Sequence, residues 1–185
     1  MRRFHHGTNG LIGAIDLNHS RSRTDFGKGF YMGNNLGVAR RWAISQSMTS
    51  ETPTVMRYIL KDEVFNLSDG CLNRLWFSAP TVEWLNFVRD NRIISNPGQL
   101  SIEPRHNFDI VYGPIANDKI ADVVDEYVDG LVTATEAIQR VRVVPSVFQI
   151  SFHTTLALSY IDQQLTEYQR KIRNNTWSAW EKADA

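Results

Sequence analysis

The stretch Asp25-Phe26-Gly27-Lys28-Gly29-Phe30-Tyr31 constrains this chain more than any other. Two glycines around a lysine exclude a helix interior, where each costs about 1 kcal/mol relative to alanine. They predict a tight loop in which the backbone approaches something closely. Phe30 and Tyr31 then enter a short strand, whose neighbouring side chains point to opposite faces, so one ring meets the core and the other a cleft. A second glycine beside polar groups, His5-His6-Gly7-Thr8, lies on an extended entry at the N-terminus. The two segments together predict a pocket for a flat, polar ligand.

A chain of 185 residues with 42% hydrophobic residues fits one globular domain with a sizeable core. Twenty basic and twenty acidic residues give a formal net charge of zero, which argues against bulk nucleic-acid binding. The lone cysteine, Cys71, excludes an internal disulfide. With no apolar run behind the N-terminus and none near the roughly 18–20 residues of a bilayer span, the expectation is a cytoplasmic protein without membrane contact.

The pattern predicts strands at 3–6, 30–33, 55–60, 64–67, 109–112 and 147–152. Helices are expected at Leu36–Met48, Thr81–Arg92 and Asp118–Val128, in a segment opened by the capping box Thr133 and Glu136, and in a short turn capped by Thr154. From Asp162 onward the charged pattern reads as helix. No repeat, P-loop or GxGxxG fingerprint is present. The fold class is therefore α+β with mostly antiparallel strands, as a domain over 1–161 and a charged helical extension over 162–185.

His6-Gly7-Thr8 on a first strand, Gly27 to Tyr31 entering a second and Gln149 on a late strand resemble the ADP-ribosyltransferases. The likeness is closest to the diphtheria-toxin and poly(ADP-ribose) polymerase branch, with its histidine, tyrosine and glutamate. Within that superfamily the chain is similar to an uncharacterised bacterial family, through Asp25–Tyr31, Trp84–Phe87, Asp109–Asp118 and Gln149–Thr154. The resemblance implies split β-sheets with NAD, the co-substrate, in a cleft between them. Tyr31 would stack on the nicotinamide, with Trp42 on its other side. The Gly7 backbone would bind the carboxamide, an approach open to a residue without a Cβ. His6, assisted by Thr8, would hold an adenosine ribose hydroxyl. Gly29 belongs to the loop over the dinucleotide. Arg21, Arg23 and Lys28 are candidates for its pyrophosphate, Arg23 first.

The resemblance implies His6, Tyr31 and Gln149 as the catalytic set, but Gln149 replaces the family's glutamate. An amide accepts a hydrogen bond from the ribose 2′-hydroxyl, yet supplies no charge and no base. That argues against chain elongation and leaves mono-ADP-ribosylation, NAD hydrolysis or NAD binding open; an acid such as Asp25 would compensate. The expected function is a NAD-dependent mono-ADP-ribosyltransferase, a pentosyl-type glycosyltransferase acting on a protein or nucleic-acid acceptor, as in a bacterial toxin with a cognate antitoxin. The alternative is an inactive module that binds NAD, ADP-ribose or a protein partner. His106 and His153 lack metal-ligand spacing. Asp109, Asn117 and Asp118 read as turn and cap residues, and His5 as structural.

Overall fold

Eleven glycines and six prolines punctuate the chain into short elements, which gather into two compact units with interleaved sequence. The computed structural model describes residues 2–21, 24–48, 51–68, 70–92, 106–115, 118–141, 147–170, 172–173 and 176–183. The first unit comprises Met1–Ile15, Tyr31–Asp69 and Leu158–Ala185, and the second Asp16–Phe30 and Gly70–Ala157. The class is α+β and its strands are mostly antiparallel.

The first unit is built on β1 (Arg2–Thr8), β2 (Phe30–Gly33, from Tyr31 on), β3 (Thr54–Leu60), β7 (Ile161–Gln169) and β10 (Glu181–Lys182). They run in the order β10-β7-β3-β1-β2, antiparallel throughout. A two-stranded ribbon joins β8 (Ile172–Arg173) to β9 (Thr176–Trp177). Helix α1 (Leu36–Gln46) starts where Asn35 Oδ1 accepts the Val38 N–H at 3.1 Å. Its Ala39 and Ala43 pack on Val55, joined by Leu36, Tyr168 and Trp180. Phe4, Met56, Tyr58 and Leu60 are also buried, with Phe4 stacked on Phe65.

The second unit carries β4 (Arg74–Trp76), β5 (Ile110–Pro114) and β6 (Phe148–Phe152). β5 pairs antiparallel with β6 and parallel with β4. Helices α2 (Val82–Arg92), α3 (Asp118–Val128) and α4 (Ala134–Val141) pack on one another. Thr81 Oγ1 caps α2 by accepting the Trp84 N–H at 3.2 Å. The capping box of α4 forms as predicted: Glu136 N–H donates to Thr133 Oγ1 at 3.3 Å, and Thr133 N–H to Glu136 Oε2 at 2.8 Å. Thr154 caps the single turn α5 (Thr155–Leu158). Phe26, Phe77 and Phe87 form an aromatic cluster, and Trp84 and Leu85 of α2 are fully buried.

Two expectations are corrected and one strand is added. Residues 64–67 are not a strand; Asp62–Phe65 is a 3-10 turn, closed by Val64 N–H on Lys61 O at 3.2 Å. A short apolar run does not distinguish the two by period. β4 was not predicted, because three residues show no alternation. The stretch from Asp162 is strand rather than helical extension: β7 pairs with β3 from Leu60↔Ile161 to Thr54↔Gln169. Its polar run reads as helix in isolation, but a neighbouring strand decides. Among the described residues no helix is long and apolar enough to cross a membrane.

Candidate functional site

In the first unit β1 and β2 meet antiparallel at His5 and Gly33. Next to that pair, the ring of His6 takes the backbone of the neighbouring strand: Nδ1 lies 2.6 Å from Tyr31 O. A carbonyl only accepts, so Nδ1 carries the proton and Nε2 of the neutral ring is an acceptor. Burial lowers the His6 pKa, against the opposing pull of the Tyr31 carbonyl. The half-buried ring is thus held in its neutral form, with Nε2 as its acceptor nitrogen. Tyr31 alternates as predicted, half-buried between the buried Phe30 and Met32.

Gly7 is buried, and its lack of a side chain has a packing cause. A Cβ there would press on the Ala39 carbonyl and lie 2.7 Å from the Ala43 amide nitrogen, so the backbone of α1 fills the side kept free. Thr8 ends β1 opposite Thr54 and is half-buried. Trp42 projects from α1 with 50% of its surface exposed.

In the second unit the segment 24–29 is gripped from several sides. Gly27 takes a left-handed conformation (φ 79°) that L side chains avoid. Thr24 Oγ1 donates to Gly27 O. Asp25 is 8% exposed and accepts from two elements: Gln149 Nε2 at 2.7 Å, and Arg92 Nη2 at 2.6 Å with Nε at 3.2 Å. Arg92 reaches on to Asp125 at 3.0 Å. Burial would lower the Arg92 pKa, but the Asp25 charge and its hydrogen bonds, with Asp125, carry it above the ordinary value.

Gln149 is more enclosed than its alternation predicts, at 8% exposure. The Asp25 carboxylate only accepts, so it fixes the amide flip, with Nε2 inward and Oε1 directed elsewhere. A glutamate in the same rotamer would set two carboxylates against each other, a physical reason for an amide at 149.

Two histidines hold the carbonyls of the same loop. His153 Nδ1 donates to Lys28 O at 2.8 Å, and its Nε2 receives the Ser151 hydroxyl at 2.8 Å. His106 Nε2 donates to Phe26 O at 2.8 Å, while its Nδ1 accepts the Phe108 N–H at 3.2 Å. The two rings meet edge to face with centroids 4.6 Å apart. Gly29 is required by this packing, since a Cβ would lie 2.6 Å from His153 Nδ1. Burial first, then the neighbouring His106, push the His153 pKa down to about 4, against the Lys28 carbonyl and Asp109.

That shift gives a signed prediction. Above pH 6.5 His153 is neutral folded or unfolded. Between 6.5 and about 4 only the unfolded chain takes the proton, so stability falls across that window, by about 3 kcal/mol at its lower end. Burial also lowers the pKa of His6 and of His106, and both act in the same sense. Urea unfolding at pH 7.5 and 4.5 measures the loss, which His153→Gln is expected to reduce. An unchanged difference in that variant would refute the assignment.

The structure joins His6 to Tyr31 in the first unit and Gln149 to Asp25 in the second; Arg23 and Asn117 lie outside the described residues. Arg21 is exposed and Lys28 half-buried. Asp109 ties Asn73 N–H at 2.8 Å and Thr154 Oγ1 at 2.6 Å, a turn role, and Asp118 opens α3. Arg92, His106 and His153 were missed as loop clamps, because nothing in their own segments signals a partner so distant in sequence. A family model described as "Protein of unknown function (DUF3990)" matches residues 2–163. No curated protein and no solved structure matches the chain.

Proposed function

The chain belongs to the DUF3990 family, and we propose that it is a NAD-dependent mono-ADP-ribosyltransferase. The observation that carries the reading is the link between two residues of its motifs: His6 gives its Nδ1 proton to Tyr31 O, which fixes the ring's tautomer and orientation. A neutral ring so held suits a ribose hydroxyl. Tyr31 offers a ring for the nicotinamide, and Gln149 an amide oxygen for the 2′-hydroxyl, aimed by Asp25. Thr8 assists His6, and the Gly7 backbone holds the carboxamide. By the resemblance, Trp42, Gly29 and Arg23 would supply the remaining dinucleotide contacts.

Nicotinamide leaves as a neutral molecule, taking the electron pair of the broken N-glycosidic bond. No general acid is needed. The acceptor nucleophile forms the new bond to the ribose carbon and gives its proton to solvent. Binding energy serves to hold the dinucleotide bent and the acceptor in line. An amide rather than a carboxylate suits an acceptor already nucleophilic and transfer of a single unit. The acceptor is a protein or nucleic acid, and a toxin held by a cognate antitoxin is the setting we favour.

Calorimetry with NAD, and release of nicotinamide from labelled NAD in a cell lysate, test this reading. Tyr31→Ala is expected to weaken NAD binding about tenfold. Gln149→Ala should lower nicotinamide release about a hundredfold. A protein that neither binds NAD nor releases nicotinamide would overturn the proposal. Binding without release favours the second reading, a module that holds NAD without turnover; the enclosure of Gln149 speaks for it.

A further inference from the structure

A row of three ionisable side chains crosses the first unit, and the chemistry proposed above uses none of them. His5 on β1 and Arg57 on β3 are register partners. Glu167 of β7 meets both: His5 Nδ1 lies 2.8 Å from its Oε2, and Arg57 Nη1 lies 3.8 Å from its Oε1. The side chains of His5 and Glu167 are 14% exposed and that of Arg57 28%.

Glu167 reaches this row through a break in the sheet. The β3–β7 register steps from Val55↔Tyr168 to Met56↔Thr166, leaving Glu167 as the extra residue of a bulge. Val55 and Met56 point to opposite faces. Accordingly Tyr168 joins the α1 cluster while Thr166 Oγ1 lies 3.6 Å from Met56 Sδ. Bulges re-aim side chains and recur beside functional sites.

Part of the hydrogen-bonding capacity of the row is unspent. His5 and Glu167 touch at ion-pair distance without a hydrogen bond between them. His5 Nδ1, Arg57 Nε and Glu167 Oε2 are buried atoms without a hydrogen bond among the described residues, and so is Arg40 Nε on α1. The Arg40 guanidinium lies 4.2 Å over the ring of Tyr168, the residue after Glu167. Buried charged donors left unmet are expensive, and a buried ion pair alone seldom repays its desolvation. Arg57 lies two residues from Val55 on β3 and so shares the face on which Tyr168 and Arg40 meet, which sets two guanidinium groups against one carboxylate on that face. Its chemical complement is a tetrahedral oxyanion with several acceptor oxygens.

We propose that His5, Arg57 and Arg40 bind a phosphate group, free or carried by a nucleotide, and that Glu167 is the resident carboxylate with which it competes. The site is independent of the NAD reading, and NAD is left out of its test. Inorganic phosphate and adenosine monophosphate are titrated separately into the intact protein by calorimetry. Saturation by either is expected, equal affinities pointing to free phosphate and tighter adenosine monophosphate to a nucleotide. Arg57→Gln should weaken binding by about tenfold or more. Arg57→Lys keeps the charge and loses the fork, and should also weaken it, so a folding failure of the first variant leaves the test intact. Glu167→Gln removes the competitor and should tighten binding several-fold. A structural ion-pair row gives the opposite: Glu167→Gln lowers the melting temperature and phosphate stays unbound. No saturation below about 10 mM, or binding indifferent to both Arg57 variants, overturns the site.

Discussion

Gly7→Ala is expected to lower the melting temperature by about 10 °C, in the absence of any ligand. The added Cβ would press on the carbonyl oxygen of Ala39 and lie 2.7 Å from the Ala43 nitrogen. Both obstacles are backbone, so no rotamer change relieves them, and α1 must lift from β1. That separation opens the Ala39, Ala43 and Val55 cluster. Overpacking typically costs about 1–3 kcal/mol, and a collision with helix backbone belongs at the upper end. For a chain of this size each kcal/mol is worth about 2–4 °C. Circular dichroism melting of the apoprotein decides the matter. If Gly7 were needed for ligand approach alone, Gly7→Ala would melt within about 2 °C of the parent and lose only affinity. That result would reject the packing explanation.

Gly7 also shows how far the sequence is informative. A glycine between polar residues on a strand announces that something comes close, but not what. The close neighbour here is a helix some thirty residues on, which local pattern does not reveal. The same holds for Gly29, where the neighbour is His153. Elements whose signals are local were legible: β2 and α3 at their stated bounds, α2 within one residue, and the capping box at Thr133 and Glu136. β7 was not, because its sequence IDQQLTEYQ has no strong preference and becomes strand through pairing with β3. Of the candidate site, His6, Tyr31 and Gln149 were expected as one set; the structure links His6 to the Tyr31 carbonyl, and Gln149 to Asp25. Asp25, named from the sequence only as an acid that would compensate for the missing glutamate, accepts a hydrogen bond from the Gln149 amide at 2.7 Å. Arg92, from a helix 67 positions away, was invisible because its partner is chosen by the tertiary fold.

Asp25→Ala should be the most damaging single polar substitution in the second unit. Asp25 accepts from Gln149 and from two nitrogens of Arg92, and its own surface is 8% exposed. Removing it strands a guanidinium whose side chain is 18% exposed and leaves it only Asp125 among these acids, itself largely open to solvent. Breaking a buried ion pair from one side costs about 3–5 kcal/mol, because the remaining charge keeps its desolvation penalty. The Gln149 amide loses its acceptor at the same time, which frees the flip that Asp25 imposes. Stability and the aim of Oε1 are therefore expected to fail together. Arg92→Met separates the two effects. Added to Asp25→Ala it removes the stranded charge while filling similar volume, and the double variant is expected to recover about half of the lost stability. Under the proposed NAD chemistry, recovery of turnover is not expected, since Gln149 remains unanchored. Urea denaturation of the parent, both single variants and the double variant gives the coupling directly. Strictly additive losses would show that Asp25 and Arg92 do not act as a pair, and the electrostatic account of the loop would have to be abandoned.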